Sequence, residues 1–153
     1  MADPFTPEEV LARVPQQDPF RFIDEISELD EDHIVAHYTF PEDADFYRGH
    51  FPGNPITPGV ILVETMAQAG VVAYGLYLLS CEDGGREAIE KLLTIFTDTS
   101  VEFTGMVLPG QRVTTTARKD MWRRRKIRST AEMRLDDGTL VLTGTVAGMG
   151  VPK

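Results

Sequence analysis

The sequence predicts an α+β fold in which one long apolar helix packs against an antiparallel sheet. Three observations predict it. From Val60 to Cys81 the only charged residue is Glu64, and a helix apolar on nearly every side belongs in a core. Four strand-like runs then follow, with Pro109-Gly110 and Asp136-Asp137-Gly138 supplying turns between them. A shorter extended pair precedes the helix, so helix and strands are segregated rather than alternating.

Each element has a local reason. Thr6 caps a short helix from Pro7 to Val14, with Glu8 and Glu9 matched to the positive end of its dipole, and Pro15 stops it. Pro19 to Ile26 reads as an extended entry into the first strand. His33 to Phe40 is rich in β-branched and aromatic residues and ends at Pro41. Residues 42–48 lead into a stiff loop, Gly49 to Gly59, that holds three prolines and three glycines. The central helix runs from Pro58, which tolerates a first turn, to Cys81, and Glu82 to Gly85 close it. Strands are expected at Leu92–Phe103, Gln111–Met121, Ile127–Leu135 and Thr139–Ala147, with Gly148–Lys153 a frayed end. One flat sheet cannot cover such a helix. Either the sheet curls around it or a second subunit completes the cover.

At 153 residues, 42% hydrophobic and 25% charged, a single soluble domain over 1–153 is expected. The net charge of −9 argues against nucleic-acid binding. Arg118, Lys119, Arg123, Arg124, Arg125, Lys126 and Arg128 nevertheless stand together with only Asp120 among them. That run is either a solvated hairpin or a dock for an acidic partner, and Trp122 either anchors that contact or covers the sheet edge. The lone Cys81 fits a reducing, cytoplasmic setting. No basic region precedes an apolar one at the N-terminus, so no secretory signal is expected. Val60–Cys81 approaches the length of a membrane span, but Glu64, Thr65, Gln68, Gly70 and Gly75 interrupt it, and a core helix is expected instead.

Chemistry concentrates at the loop and the helix start. His50 either holds the loop or acts as a base. Glu64 tips the balance: a carboxylate in apolar surroundings is costly unless paired or neutralised, and desolvation would keep it a proton-donating acid. Gln68, one turn on, either orients that carboxyl or fills a polar niche. Gly59 and Val60 offer free amides and the positive dipole end, suited to polarising a carbonyl. His33 and His37 lack a third ligand, so no metal site is expected.

Gly49-His50-Phe51-Pro52-Gly53-x-Pro55-x-x-Pro58-Gly59-Val60 and Glu64-x-Met66-Ala67-Gln68-Ala69 resemble the active-site signature of the hotdog-fold 3-hydroxyacyl-[acyl-carrier-protein] dehydratases of the FabZ/FabA type. Weaker similarity runs from Pro19-Phe20-x-x-Ile23-Asp24 to Val101-x-Phe103-x-Gly105-x-Val107-x-Pro109-Gly110 and onward. The resemblance implies a curved antiparallel sheet wrapped around the helix, with dimers pairing two units into a double hotdog. It implies His50 as the base for the α-proton and Glu64 of the dimer partner as the acid for the departing 3-hydroxyl. Phe51, Pro58, Gly59, Val60 and Gln68 are implied as substrate-binding residues. Arg123, Arg124, Arg125, Lys126 and Arg128 would dock the acyl carrier protein. No cofactor and no metal are implied. The assembly implied is a homodimer or larger homo-oligomer, or a hetero-oligomer with a second hotdog subunit, serving fatty-acid, polyene or polyketide synthesis. Glutamate at 64 is similar to the dehydratase-only branch, whereas Val101-Glu102-Phe103-Thr104-Gly105 is more similar to the branch that also isomerises. Thioester hydrolysis, or acyl binding by a non-catalytic partner subunit, is the alternative on the same fold.

Overall fold

The computed structural model describes residues 3–153. Helix α1 (Pro7–Arg13) begins with reciprocal capping. The Thr6 hydroxyl accepts from the Glu9 amide at 3.2 Å, and the Glu9 carboxylate accepts from the Thr6 amide at 2.9 Å. Strands β1 (Glu25–Leu29) and β2 (His33–Thr39) follow, then a 3-10 turn at Asp45–Arg48. The long helix α2 spans Gly59–Ser80. After a short helix at Gly85–Ile89 come β3 (Leu92–Phe103), β4 (Arg112–Arg123), β5 (Lys126–Leu135) and β6 (Leu140–Pro152). The six strands form one antiparallel sheet in the order β1-β2-β4-β5-β6-β3.

The sheet curls around α2, which answers most of the coverage problem within one chain. Val113, Thr115 and Ala117 of β4 and Ile127, Ser129, Ala131 and Met133 of β5 alternate inward, joined by Leu142 and Val146 of β6. From Thr65 onward α2 is buried apart from Gly75. Gly70 allows a close approach: a Cβ there would stand 3.2 Å from both Ala117 Cβ and Val146 Cγ2. Although α2 is long and apolar enough to cross a membrane, 67% of that apolar window lies buried inside the protein.

Three features depart from the sequence expectation. The middle of α2, Gln68–Ala73, is π-helical. Such widening changes backbone partners, and Ser129 Oγ donates to the Gly70 carbonyl here at 2.8 Å. The segment after α2 winds into a helical turn at Gly85–Ile89, entered through Gly84 at φ 74°. The expected frayed end is the last part of β6: Leu92 faces Pro152 and Leu93 faces Val151 in register, and the Lys153 amide donates to Lys91 O at 3.0 Å. Gly148 serves close packing rather than looseness, since a Cβ there would sit 2.4 Å from Val71 Cγ1.

The two sheet edges differ. β1 is short and carries a register shift, which discourages further pairing. β3 is twelve residues long and, among the described residues, pairs only with β6, and Leu93, Ile95, Phe96 and Phe103 along it are 41–50% exposed.

Strand β2 carries two histidines with opposite electrostatics. The hydrogen bond from His33 to Glu28, aided by the charge of Asp30, raises its imidazole above 6.5 despite partial burial. Burial, with Arg112 nearby, lowers His37 below 6.5, where its ring sits between Ser27 Oγ and Thr114 Oγ1. By linkage, the His33 contribution to stability is complete below pH 6.5 and is lost as pH rises through its higher folded value. The His37 contribution is present above 6.5 and is lost as pH falls through its lower folded value. A ring-proton NMR titration should therefore place the His33 midpoint above that of His37. The reverse order would contradict this account.

Candidate active site

The loop before α2 holds His50 by its own backbone. The amides of Gly49 and His50 both donate to Phe46 O, and the Ile56 amide donates to His50 O at 2.9 Å. Thr57 ties the far side down: its amide donates to Val107 O at 2.8 Å, and its hydroxyl pairs with the buried Tyr47 hydroxyl. The His50 ring lies 2.9 Å, through Nδ1, from Ile56 O. A carbonyl oxygen only accepts, so Nδ1 carries a proton, and in the neutral ring Nε2 keeps its lone pair. Phe51 stacks on this ring with centroids 4.2 Å apart and is itself half exposed. The histidine thus fastens the loop through one ring nitrogen and leaves the other without a protein partner among the described residues.

At the helix start, Pro58 O accepts from the amides of Ile61 and Leu62. Pro58 has no N–H to give, and the amides of Gly59 and Val60 lie in the first turn, where no helical acceptor exists. A Cβ on Gly59 would stand 3.0 Å from the Phe103 ring, so the end of β3 walls this corner. The Val60 side chain is 76% exposed.

Glu64 corrects one expectation. It is half-buried, not buried, because the face of α2 formed by Val60, Ile61, Val63 and Glu64 opens at this end. Its Oε1 accepts from Gln68 Nε2 at 2.9 Å. Gln68 is completely buried, and it also donates to Phe20 O at 2.9 Å and accepts from the Phe22 amide at 2.8 Å. Those two backbone partners were not legible at the site level; only the extended Pro19–Ile26 segment pointed to them. Within one chain His50 and Glu64 share no hydrogen bond or ion pair among the described residues.

The basic run forms the β4–β5 turn. Arg123, Arg124 and Arg125 are exposed and Lys126 is half-buried, with Arg124 and Arg125 at φ 51° and 62°. Arg128, on the same face of β5 as Lys126, makes an ion pair with Asp98 at 3.3 Å. Trp122 Nε1 donates to Glu82 at 2.7 Å, which fixes the turn to the C-terminal end of α2. The patch therefore stands about 33 Å along the helix from its own Gly59, at 1.5 Å per residue. An apolar groove of about 530 Å³, not foreseen from the sequence, includes Phe20, Phe22, Tyr38, Phe46 and Ile61 in its lining. Burial pushes the Tyr38 hydroxyl up to about 12. Burial likewise raises the Cys81 thiol, the opposite of an activated nucleophile.

A FabA-like domain matches residues 14–145, a span that contains the loop, Glu64, Gln68 and the basic turn. The chain belongs to the FabA-like family. Among the relatives of this FabA-like chain, the 3-hydroxyacyl-[acyl-carrier-protein] dehydratase FabZ of Streptococcus pyogenes serotype M3 is 32% identical over 139 residues, 90% of this chain and 93% of that protein. The FabZ of Xanthomonas oryzae pv. oryzae is 35% identical over 109 residues, 70% of this chain and 67% of its own. The dehydratase heterocomplex ApeI:P from Xenorhabdus doucetiae superposes with a TM-score of 0.74 at 17% identity, covering 97% and 93% of the two chains. A Haemophilus influenzae thioesterase gives a TM-score of 0.68 at 19% identity, covering 99% and 94%. Those two structures establish the hotdog fold for the FabA-like chain; their activities remain their own.

Proposed function

We propose that this FabA-like chain dehydrates 3-hydroxyacyl thioesters borne on an acyl carrier protein, giving trans-2-enoyl thioesters and water. The observation that carries the proposal is the His50 ring, oriented by Ile56 O so that Nε2 is a free base beside a helix N-terminus. Nε2 takes the proton on C2, whose acidity rises when the amides of Gly59 and Val60 polarise the thioester carbonyl. Glu64 gives a proton to the leaving 3-hydroxyl. The apolar groove beside Phe20 and Ile61 offers the acyl chain a wall. The same chemistry serves fatty-acid, polyene or polyketide synthesis, in a setting proposed as cytoplasmic.

A second subunit belongs to this reading. The unpaired edge of β3 and its exposed Leu93, Ile95, Phe96 and Phe103 fit antiparallel pairing with a second β3, in a homodimer or with another hotdog subunit. Such pairing sets the Leu92 end of one strand beside the Phe103 end of the other. The basic turn lies at the Leu92 end, since Lys126 faces Met149 and Ile95 faces Met149 across β6. It would therefore serve the site of the partner rather than its own distant one.

Purified protein given a 3-hydroxyacyl pantetheine thioester should develop enoyl absorbance without free thiol; free thiol without enoyl product would favour hydrolysis and remove the proposal. Reversing charge at Arg124 and Arg125 to glutamate should slow turnover of carrier-bound substrate roughly tenfold at low salt, with a smaller effect as salt rises. The short pantetheine substrate should be spared. Equal losses on both would remove the docking role.

A further inference from the structure

Ile56 and Thr57 share one peptide group, and both of its polar atoms are taken. Its carbonyl accepts from His50 Nδ1 at 2.9 Å, and its N–H, the Thr57 amide, donates to Val107 O at 2.8 Å. In a trans peptide these two groups point to opposite sides of one rigid plane, so Val107 O on one side and the imidazole on the other require a single orientation. Turning the plane over would present an N–H to His50 Nδ1. That nitrogen would then have to accept, the proton of the neutral ring would move to Nε2, and the proposed base would lose its lone pair.

A pair of buried hydroxyls steadies this plane. Tyr47 and Thr57 meet hydroxyl to hydroxyl at 2.5 Å, and neither side chain makes another hydrogen bond among the described residues. Thr57 is 3% and Tyr47 6% exposed, so water is no substitute for either partner. Tyr47 is itself fixed in the 3-10 turn Asp45–Arg48, where its amide donates to Ala44 O and its ring packs edge-on against Phe46. A buried hydroxyl stripped of its partner is costly, and a threonine hydroxyl so released competes for backbone groups. The backbone groups nearest to it in the chain are those of the Ile56–Thr57 peptide.

We propose that Tyr47 is a positioning residue: through the Thr57 hydroxyl it locks the Ile56–Thr57 peptide, and with it the proton of the neutral His50 ring on Nδ1. Tyr47 acts through Thr57 rather than on the substrate. The kinetic consequence rests on the dehydratase reading, in which Nε2 takes the C2 proton and must arrive without one of its own. Pro58 and Gly59 follow Thr57 directly, so the same lock sets where the helix begins and where the amides of Gly59 and Val60 stand.

The test reads the ring and the rate separately. Long-range proton–nitrogen correlation spectra of protein carrying isotope-labelled histidine, taken where the His50 ring is neutral, report which ring nitrogen holds the proton. The parent should show Nδ1 protonated. Tyr47→Phe, Thr57→Val and the double variant should each show a mixture of the two tautomers. Turnover of a 3-hydroxyacyl pantetheine thioester per folded protein, with the folded fraction taken from thermal melts, should fall roughly tenfold in kcat with KM little changed. The double variant should lose no more than the worse single variant, because all three remove the same bond. If Tyr47→Phe does not fold, Thr57→Val is read in its place. Parental Nδ1 protonation in the variants, whatever their melting temperature or rate, would overturn the positioning role. Mixed tautomers with an undiminished rate would instead remove His50 as the base. A parent that forms no enoyl product would overturn the dehydratase reading, and the ring spectra would still decide the role of Tyr47.

Discussion

Mixing His50→Ala chains with Glu64→Ala chains is expected to restore dehydration that neither preparation supports alone. Each substitution by itself removes the base or the acid and should lower turnover roughly 10²- to 10⁴-fold. The two side chains have separate partners within one chain, Ile56 O for His50 and Gln68 for Glu64. A two-fold dimer that draws each site from both chains makes one intact site in every mixed dimer: the native His50 of one chain meets the native Glu64 of the other. Random exchange at equal concentrations makes about half of the dimers mixed, with one intact site of two, so about a quarter of the parental rate should return. The measurement is enoyl formation before and after the two variants are unfolded together and refolded. If each site were built within a single chain, no mixed dimer would contain an intact pair and the rate would stay at the background of the single variants. Recovery therefore reports the composition of the site, independently of what holds the dimer together.

The ease of placing His50 and Glu64 came from the residues themselves. Prolines and glycines from Gly49 to Gly59 stiffen a loop that local rules can recognise, and a lone acid in an apolar run stands out by composition. The β3, β4 and β5 strands were legible for a similar reason, since alternation and turn residues act over short distances. What stayed hidden depends on long-range packing. Nothing local in Gln68-Ala69-Gly70-Val71-Val72-Ala73 announces a π-helical stretch, because the Ser129 hydroxyl that pairs with the Gly70 carbonyl comes from a strand 59 residues away. The half-exposure of Glu64 depends on where the sheet stops covering α2, which periodicity cannot report. The Gly148–Lys153 segment reads as a frayed end because it lies at a terminus, whereas the missing side chain of Gly148 lets β6 pass against Val71 of α2 and Ile95 of β3. Nor does the basic run announce that Arg128, on the same strand face as Lys126 and opposite the buried Ile127, pairs with Asp98.

Adding one methyl group at two glycines should give opposite signs, and the larger effect is at Gly144. This residue lies between Val101 of β3 and Ala131 of β5, where a Cβ would stand 2.1 Å from Ser100 O and 2.7 Å from Val101 Cα. Both obstacles are backbone, so no rotamer change makes room and β3 must shift. Gly144→Ala should cost roughly 3 kcal/mol, at the upper end of ordinary overpacking, and at about 2–4 °C per kcal/mol lower the melting temperature by roughly 6–12 °C. Gly75→Ala meets nothing within 4 Å and sits inside α2, so it should instead gain about 0.5–1 kcal/mol through the better helix propensity of alanine. Thermal melts of the two variants against the parent decide the matter. Because β3 is also the edge proposed to pair with a second chain, Gly144→Ala should weaken the dimer in sedimentation while Gly75→Ala leaves it intact. A Gly144→Ala protein that melts with the parent would mean that β3 yields easily at Ser100. Such a strand would be a poor foundation for the interface proposed to hold His50 of one chain against Glu64 of another.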